Sequence, residues 1–208
     1  MATEFRAMRR MRQELPKDET VAILSSGTYG VLSVIGDNGY PYGVPVNYVY
    51  RDGHIYLHAA LSGHKVDAMR KNDKVSFTIV AKNTVVKEEY TTYFRSVIAF
   101  GRVRLITDES EKMQTLKWLG ERYNPGRPEA LSKEIARGFS HLLMVDVEIE
   151  HITGKEAIEL TRKREFGNLL AINDNYPKYV ISMTPMVKRQ DFNGITHLSL
   201  REFLTSGL

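Results

Sequence analysis

Residues 55–65 read IYLHAALSGHK and gather the polar groups best suited to chemistry: His58, Ser62, Gly63, His64 and Lys65. A short β-rich run ends here, and a helical pattern resumes at about Ser62 and runs to about Asn72. The first-turn N–H groups of a helix have no intrahelical partners, and the helix dipole adds partial positive charge there. A hydroxyl, a glycine that permits close approach, an imidazole and an ammonium at such a corner suit a phosphate. The same residues also suit a plain helix start, with Ser62 as cap and Lys65 solvated. His58, at the end of its strand, fits a structural role more readily than a reactive one.

Other chemistries lack their residues. The chain has no cysteine, which removes disulfides, thiolate nucleophiles, Cys-ligated zinc and Fe–S clusters. His54 and His58 share one strand face, but the strand rise separates their Cα atoms by about 13 Å. That is too far for one metal ion, and without an H-x-x-x-H helix no metal site is expected. No Walker loop, G-x-G-x-x-G or G-x-S-x-G occurs. Asp146, Glu148 and Glu150 alternate along one strand face and read as a solvated edge. Such a chain must draw hard chemistry from a cofactor.

The elements that position the 55–65 corner are mostly strands. YGVLSVIG (29–36) precedes Asp37-Asn38-Gly39, GVPVNYVY (43–50) precedes Asp52-Gly53, and HIYLH (54–58) follows. Asn-Gly and Asp-Gly between β-rich runs predict an antiparallel meander. Pro41 and Pro45 remove ladder donors and point to an edge, a bulge or a strand start. A strand over 74–81, an exposed polar loop over 82–92 and a long strand over 94–106 with a bend at Gly101 come next. Asp18 is expected to cap a helix over 19–25 that Gly27 closes. Asp108 opens a helix over 109–123, a second covers 128–137, and LLMVDVEIEHIT (142–153) alternates as a strand. The sum is a mainly β fold: a six-stranded antiparallel barrel with helical insertions.

At 208 residues the chain allows one domain, or one with an appendage. Its composition, 42% hydrophobic and 26% charged, is that of a soluble globular protein. The net charge of +4 is too modest to argue for nucleic acid. Arg6, Arg9, Arg10 and Arg12 make a basic start with no aromatic interleaving, suited to a solvated face or an arm on a partner subunit. No apolar run reaches the roughly 18 residues of a membrane span, and the charged N-terminus is unlike a signal peptide. A cytoplasmic location is expected, with neither nucleic-acid nor membrane partners.

FRAMRRMRQ, GYPYGVPVNYVY, IYLHAALSGHK, YFRSVIAFGRVRLI and HLLMVDVEIEHITGKE occur in one order and spacing. Together they resemble the nitroimidazole-resistance (Nim) proteins, which belong to the pyridoxamine 5′-phosphate oxidase-like FMN-binding split barrels. The resemblance spans residues 1–163. It implies a split β-barrel forming a homodimer, with FMN bound in grooves between the subunits. It makes Ser62, Gly63, His64 and Lys65 the phosphate cradle, with Lys65 the main countercharge. Val44, Pro45, Val46 and Asn47 would line the isoalloxazine edge, and His58 and Ala59 would lie beside the ring. Arg95, Ser96 and Val97 would approach the flavin from the other subunit, and His58 is the implied catalytic residue. Two positions depart from the pattern: His58-Ala59-Ala60 replaces a common H-G-A, and Val75-Ser76-Phe77 stands where relatives often carry cysteine. Both bear on substrate choice more than on the phosphate.

The implied function is an FMN-dependent oxidoreductase passing electrons from reduced flavin to a small acceptor such as a nitroimidazole. The alternatives are a flavin or tetrapyrrole carrier without turnover, and a pyridoxamine-phosphate oxidase. Residues 164–208 are expected to form a short α/β appendage with a strand at YVISM (179–183). EFGNLLAINDNYPKYVISMTP and DFNGITHLSLREFLTS resemble the C-terminal end of bacterial AAA-type ATPases with a nuclease-like C-terminal domain. The nucleotide-binding region of those proteins has no counterpart here, so no ATPase activity is expected.

Overall fold

The computed structural model describes residues 5–87, 90–157, 169–174, 176–182, 190–192 and 194–205. They form two compact units, one from residues 5–81 and 96–155, the other from 82–95 and the described residues from 156 onward. The boundary expected at residue 163 lies outside the described residues.

Seven strands form one sheet in the order β2-β1-β5-β6-β7-β4-β3. They are β1 (Tyr29–Ile35), β2 (Pro41–Asn47), β3 (Val49–Arg51), β4 (His54–Ala60), β5 (Lys74–Val86), β6 (Thr91–Ile106) and β7 (Leu142–Ala157). The pairs β1–β2, β1–β5, β3–β4 and β4–β7 are all antiparallel. β2 and β3 are the two edges, yet only Tyr48 separates them in sequence. The sheet must therefore curl so that one continuous segment passes from edge to edge, as a split barrel requires. Two-residue and three-residue turns set the registers: Asp52 and Gly53 both take positive φ, 49° and 89°, as a type I′ turn needs. Asn38 and Gly39 do the same at 58° and 77°.

Alternation sorts the side chains. On β4, Ile55, Leu57 and Ala59 are buried while His54, Tyr56 and His58 face outward. The inward residues join Leu32, Val34, Phe77, Ile79, Val97, Ala99, Val145 and Val147 in one core. Two helices complete it: α1 (Lys17–Ser26) contributes Ile23 and Leu24, and α2 (His64–Lys71) contributes Val66, Ala68 and Met69. Each such aliphatic burial contributes about 1.5–3 kcal/mol. A second cluster lies on the outer face, where α3 (Glu109–Tyr123) and α4 (Pro128–Gly138) cover Val49, Ile106 and Met144 with Leu116, Leu119 and Ile135. Asp108 caps α3 by accepting the Glu111 N–H at 2.7 Å.

Three expectations change. The strand read over 43–50 is two strands, because Tyr48 belongs to neither ladder and turns inward instead. Its hydroxyl donates to the Leu24 carbonyl at 2.5 Å, and its ring is 1% exposed. Residues 82–86 continue β5, and β6 begins at Thr91, so the polar stretch is mostly strand; residues 88–89 lie outside the described set. α1 begins at Lys17 behind Pro16, placing Asp18 inside its first turn. Gly27 does close α1, but with a negative φ of −60°. Glycine is needed there because a Cβ would collide with the Tyr48 hydroxyl.

In the second unit β8 (Lys178–Ser182), β10 (Ile195–Ser199) and β9 (Gln190–Phe192) form a three-stranded sheet in that order. β10 runs parallel to β8 and antiparallel to β9. Ile195 and Leu198 of β10 are buried, as is Ser199. The helix α5 (Leu200–Thr205) opens with a capping box. The Glu202 N–H donates to Ser199 Oγ at 3.2 Å, and the Ser199 N–H to Glu202 Oε2 at 3.1 Å.

Candidate functional site

The β4–α2 junction brings His58, Ala59, Ser62, Gly63, His64 and Lys65 into one corner. The Arg70 guanidinium reaches back from α2 to the Leu61 carbonyl at 3.4 Å and shapes the turn. Gly63 precedes the helix at φ 126° and ψ 166°, a conformation that favours glycine, and no atom lies within 4 Å of where its Cβ would be. Its carbonyl accepts the N–H groups of Val66 (2.8 Å) and Asp67 (3.0 Å). No side chain caps α2, so the first-turn N–H groups of His64 and Lys65 face outward as donors. Ser62 is exposed.

Lys65 is half-buried, and among the described residues no carboxylate pairs with it. Its charge sits at the positive end of a helix, where cations are disfavoured. That arrangement is relieved by an anion. His58 registers the same field: its pKa is lowered first by burial and then by the Lys65 charge. Its outward ring is exposed, and the lowered pKa disfavours the imidazolium.

Val44, Pro45, Val46 and Asn47 run along β2, paired with Leu32, Val31, Gly30 and Tyr29 of β1. β2 has no strand on its other side, so alternate peptide groups remain open to a ligand. Val44 and Val46 are half-buried, whereas Pro45 and Asn47 face out. The Asn47 amide donates to the Thr28 carbonyl at 3.3 Å. Val97 is fully buried in the barrel core, 0% exposed, so it presents no surface to a cofactor in this chain. Ser96 is half-buried. Arg95 belongs to the second unit, where its Nε lies 3.2 Å from Glu156 Oε2.

The His64 ring is engaged. It stacks on Tyr42 with centroids 4.2 Å apart and planes 13° from parallel. Its Nε2 accepts the Asp37 N–H at 3.3 Å. Asp37 Oδ1 also receives Lys71 Nζ at 3.1 Å, which with His64 holds the Asp37 carboxyl below its ordinary range.

Asp146 differs from the solvated edge read from the sequence. It is 2% exposed and lies between β4 and α3. One oxygen sits 2.9 Å from His54 Nδ1 and the other 2.7 Å from Arg104. Arg104 also grips Glu111 of α3 through two bonds of 2.9 and 2.6 Å. A helix laid over the outer face converts that position into an ion-pair site, which alternation alone does not reveal.

A cavity of about 550 Å³ lies elsewhere, beside the start of α1 and β7, lined by Glu14, Lys17, Tyr50 and His151 among others. None of the predicted site residues lines it. This pocket therefore does not bear on the corner at α2. Among the described residues no group of three or more His, Asp or Glu side chains is placed to hold a metal ion. No helix among them is long and apolar enough to cross a membrane.

A family model for pyridoxamine 5′-phosphate oxidase matches residues 16–156. The chain belongs to that family, and residues 157–208 lie beyond the match. No curated protein matches the chain. Among solved structures, a candidate 5-nitroimidazole antibiotic resistance protein from Bacteroides thetaiotaomicron is similar at 22% identity and a TM-score of 0.58, over 69% of this chain and 86% of that one. A FAD-binding protein from Mesorhizobium loti gives 23% and 0.53, over 70% and 98%. The flavocytochrome Anf3 from Azotobacter vinelandii gives 21% and 0.61, over 73% and 72%. At these identities the likeness is one of fold.

Proposed function

We propose that the chain is an FMN-dependent oxidoreductase of the nitroimidazole-reductase type, working as a homodimer with FMN at the subunit interface. The observation that carries this is Lys65, a half-buried cation without a carboxylate partner among the described residues, beside the uncapped first turn of α2. A terminal phosphate supplies the charge this corner lacks. Ser62 and the N–H groups of His64 and Lys65 would donate to it, and Gly63 leaves room for close approach. The open edge of β2, from Val44 to Asn47, offers peptide groups to a flat polar ring. FMN, when bound, supplies the electron-transfer chemistry. The neutral imidazole of His58 stands beside it as a proton acceptor or hydrogen-bond partner for the substrate.

The dimer has its own support. Tyr29, Val80, Ile98 and Phe100 are 60%, 56%, 39% and 41% exposed. All lie on the outer face of β1, β5 and β6, opposite the inward core positions. Neighbouring apolar side chains of this size on one sheet face suit contact with a second copy.

Absorbance of the purified protein and titration with FMN test the assignment. A coloured protein that bleaches under reductant and recovers on adding a nitroimidazole supports it. Colour without turnover indicates the carrier reading. Pyridoxal phosphate formed from pyridoxamine phosphate indicates the oxidase reading. A protein that takes up no flavin contradicts the proposal.

A further inference from the structure

We infer that the side chain of His64 serves the cofactor by positioning, through a latch that ties the β1–β2 turn to the first residue of α2, and does not itself ligate the phosphate. The inference rests on the phosphate site proposed above and assigns its orientation to a hairpin that does not form the cradle.

Three contacts define the latch. The Asp37 N–H donates to His64 Nε2 at 3.3 Å, and Asp37 Oδ2 lies 3.7 Å from the same nitrogen. Tyr42 stacks flat against the ring from β2. Gly36, the last residue before the turn, lies so close that a Cβ there would be 2.9 Å from Nε2. The ring thus contacts residues 36, 37 and 42, all on one hairpin, and its side chain stays 43% exposed. Asp37 also receives Lys71 from the last turn of α2, so both ends of that helix are tied to one turn residue.

The consequence concerns the cradle. His64 is the first residue of α2, and its own N–H is one of the two open donors. Fixing its side chain fixes the direction of that donor and of the Lys65 N–H behind it. Preorganised donors bind an anion better than donors that must be ordered on binding. The turn therefore sets the affinity for the phosphate without touching it.

The test compares FMN with riboflavin, which lacks the phosphate, in fluorescence titrations of the full-length protein. His64→Gln can place an amide oxygen near the position of Nε2, whereas His64→Asn reaches only the position of Nδ1. Gly36→Ala crowds the ring without altering His64. The latch predicts that Gly36→Ala and His64→Asn lower FMN affinity roughly fivefold to tenfold, the scale of one hydrogen bond. Riboflavin affinity should be unchanged, and His64→Gln should retain most of the preference for FMN. If His64→Asn keeps the preference and His64→Gln loses it, the ring acts directly through Nδ1 and the latch is wrong. Equal losses for both ligands would mean a general fold defect and also overturn it. Wild-type protein that binds no FMN overturns the function proposed above, and with it the latch.

Discussion

The hydroxyl of Tyr123, at the end of α3, accepts the backbone N–H of Tyr48 at 3.0 Å. The same oxygen lies 2.9 Å from the Tyr48 carbonyl and against the Thr28 carbonyl, and its single proton serves one of them. Tyr48 is where the chain leaves one sheet edge for the other, so a side chain does there what a ladder does elsewhere. Tyr123→Phe should lower stability by about 1–3 kcal/mol, the cost of leaving a buried donor unpaired. Urea denaturation checks this through the midpoint at constant slope. An unchanged midpoint would show that water or a shifted neighbour replaces the hydroxyl.

Asp146 predicts a graded series. Asp146→Ala removes the partner of both His54 and Arg104 and should cost about 3 kcal/mol. Asp146→Asn should cost less, since an amide oxygen still accepts from one of them. Thermal unfolding of both variants against wild type decides the order; equal losses would mean that charge, not hydrogen bonding, holds the site.

His58 makes stability depend on pH in a stated direction. Its folded pKa lies below the ordinary 6.5, so the unfolded chain binds more protons as the pH falls through that value. Stability therefore rises with pH in this window and is fully present above it. His58→Gln should flatten that part of the curve of unfolding midpoint against pH. A variant as acid-sensitive as wild type would place the dependence on another group.

Gly101 lies on β6 beside its sheet neighbour β7, and a Cβ there would strike the Glu148 carbonyl. Gly101→Ala should destabilise by about 1–3 kcal/mol, as overpacking does. A variant of wild-type stability would show that the two strands separate easily, and calorimetry reports it.

Much of this was legible because local chemistry and global fold agree. Asp52-Gly53 specified a two-residue hairpin, Asp108 capped α3, and the alternation of residues 54–60 divided inner from outer faces. The misreadings share a cause: they depend on what lies across from a residue. Nothing local to Tyr48 tells that Leu24 and Tyr123 await it. Lys82, Asn83 and Thr84 lack alternation because that part of β5 is exposed on both faces. Asp146 looked solvated because its cover, α3, comes from 23 residues or more upstream in sequence. In the candidate site, the β4–α2 corner was readable from residue types alone. The engagement of His64 with Asp37 and Tyr42 was not, since those partners precede it by 27 and 22 positions.

The central claim is that Lys65 and the open turn of α2 hold the phosphate of FMN, and a flavin titration of wild type against Lys65→Ala tests it most directly. The account predicts that wild type binds FMN and that the variant binds it more weakly by about 1–3 kcal/mol, the scale of a lost charge-assisted hydrogen bond, with riboflavin affinity little changed. Equal FMN affinity in the two proteins would contradict it.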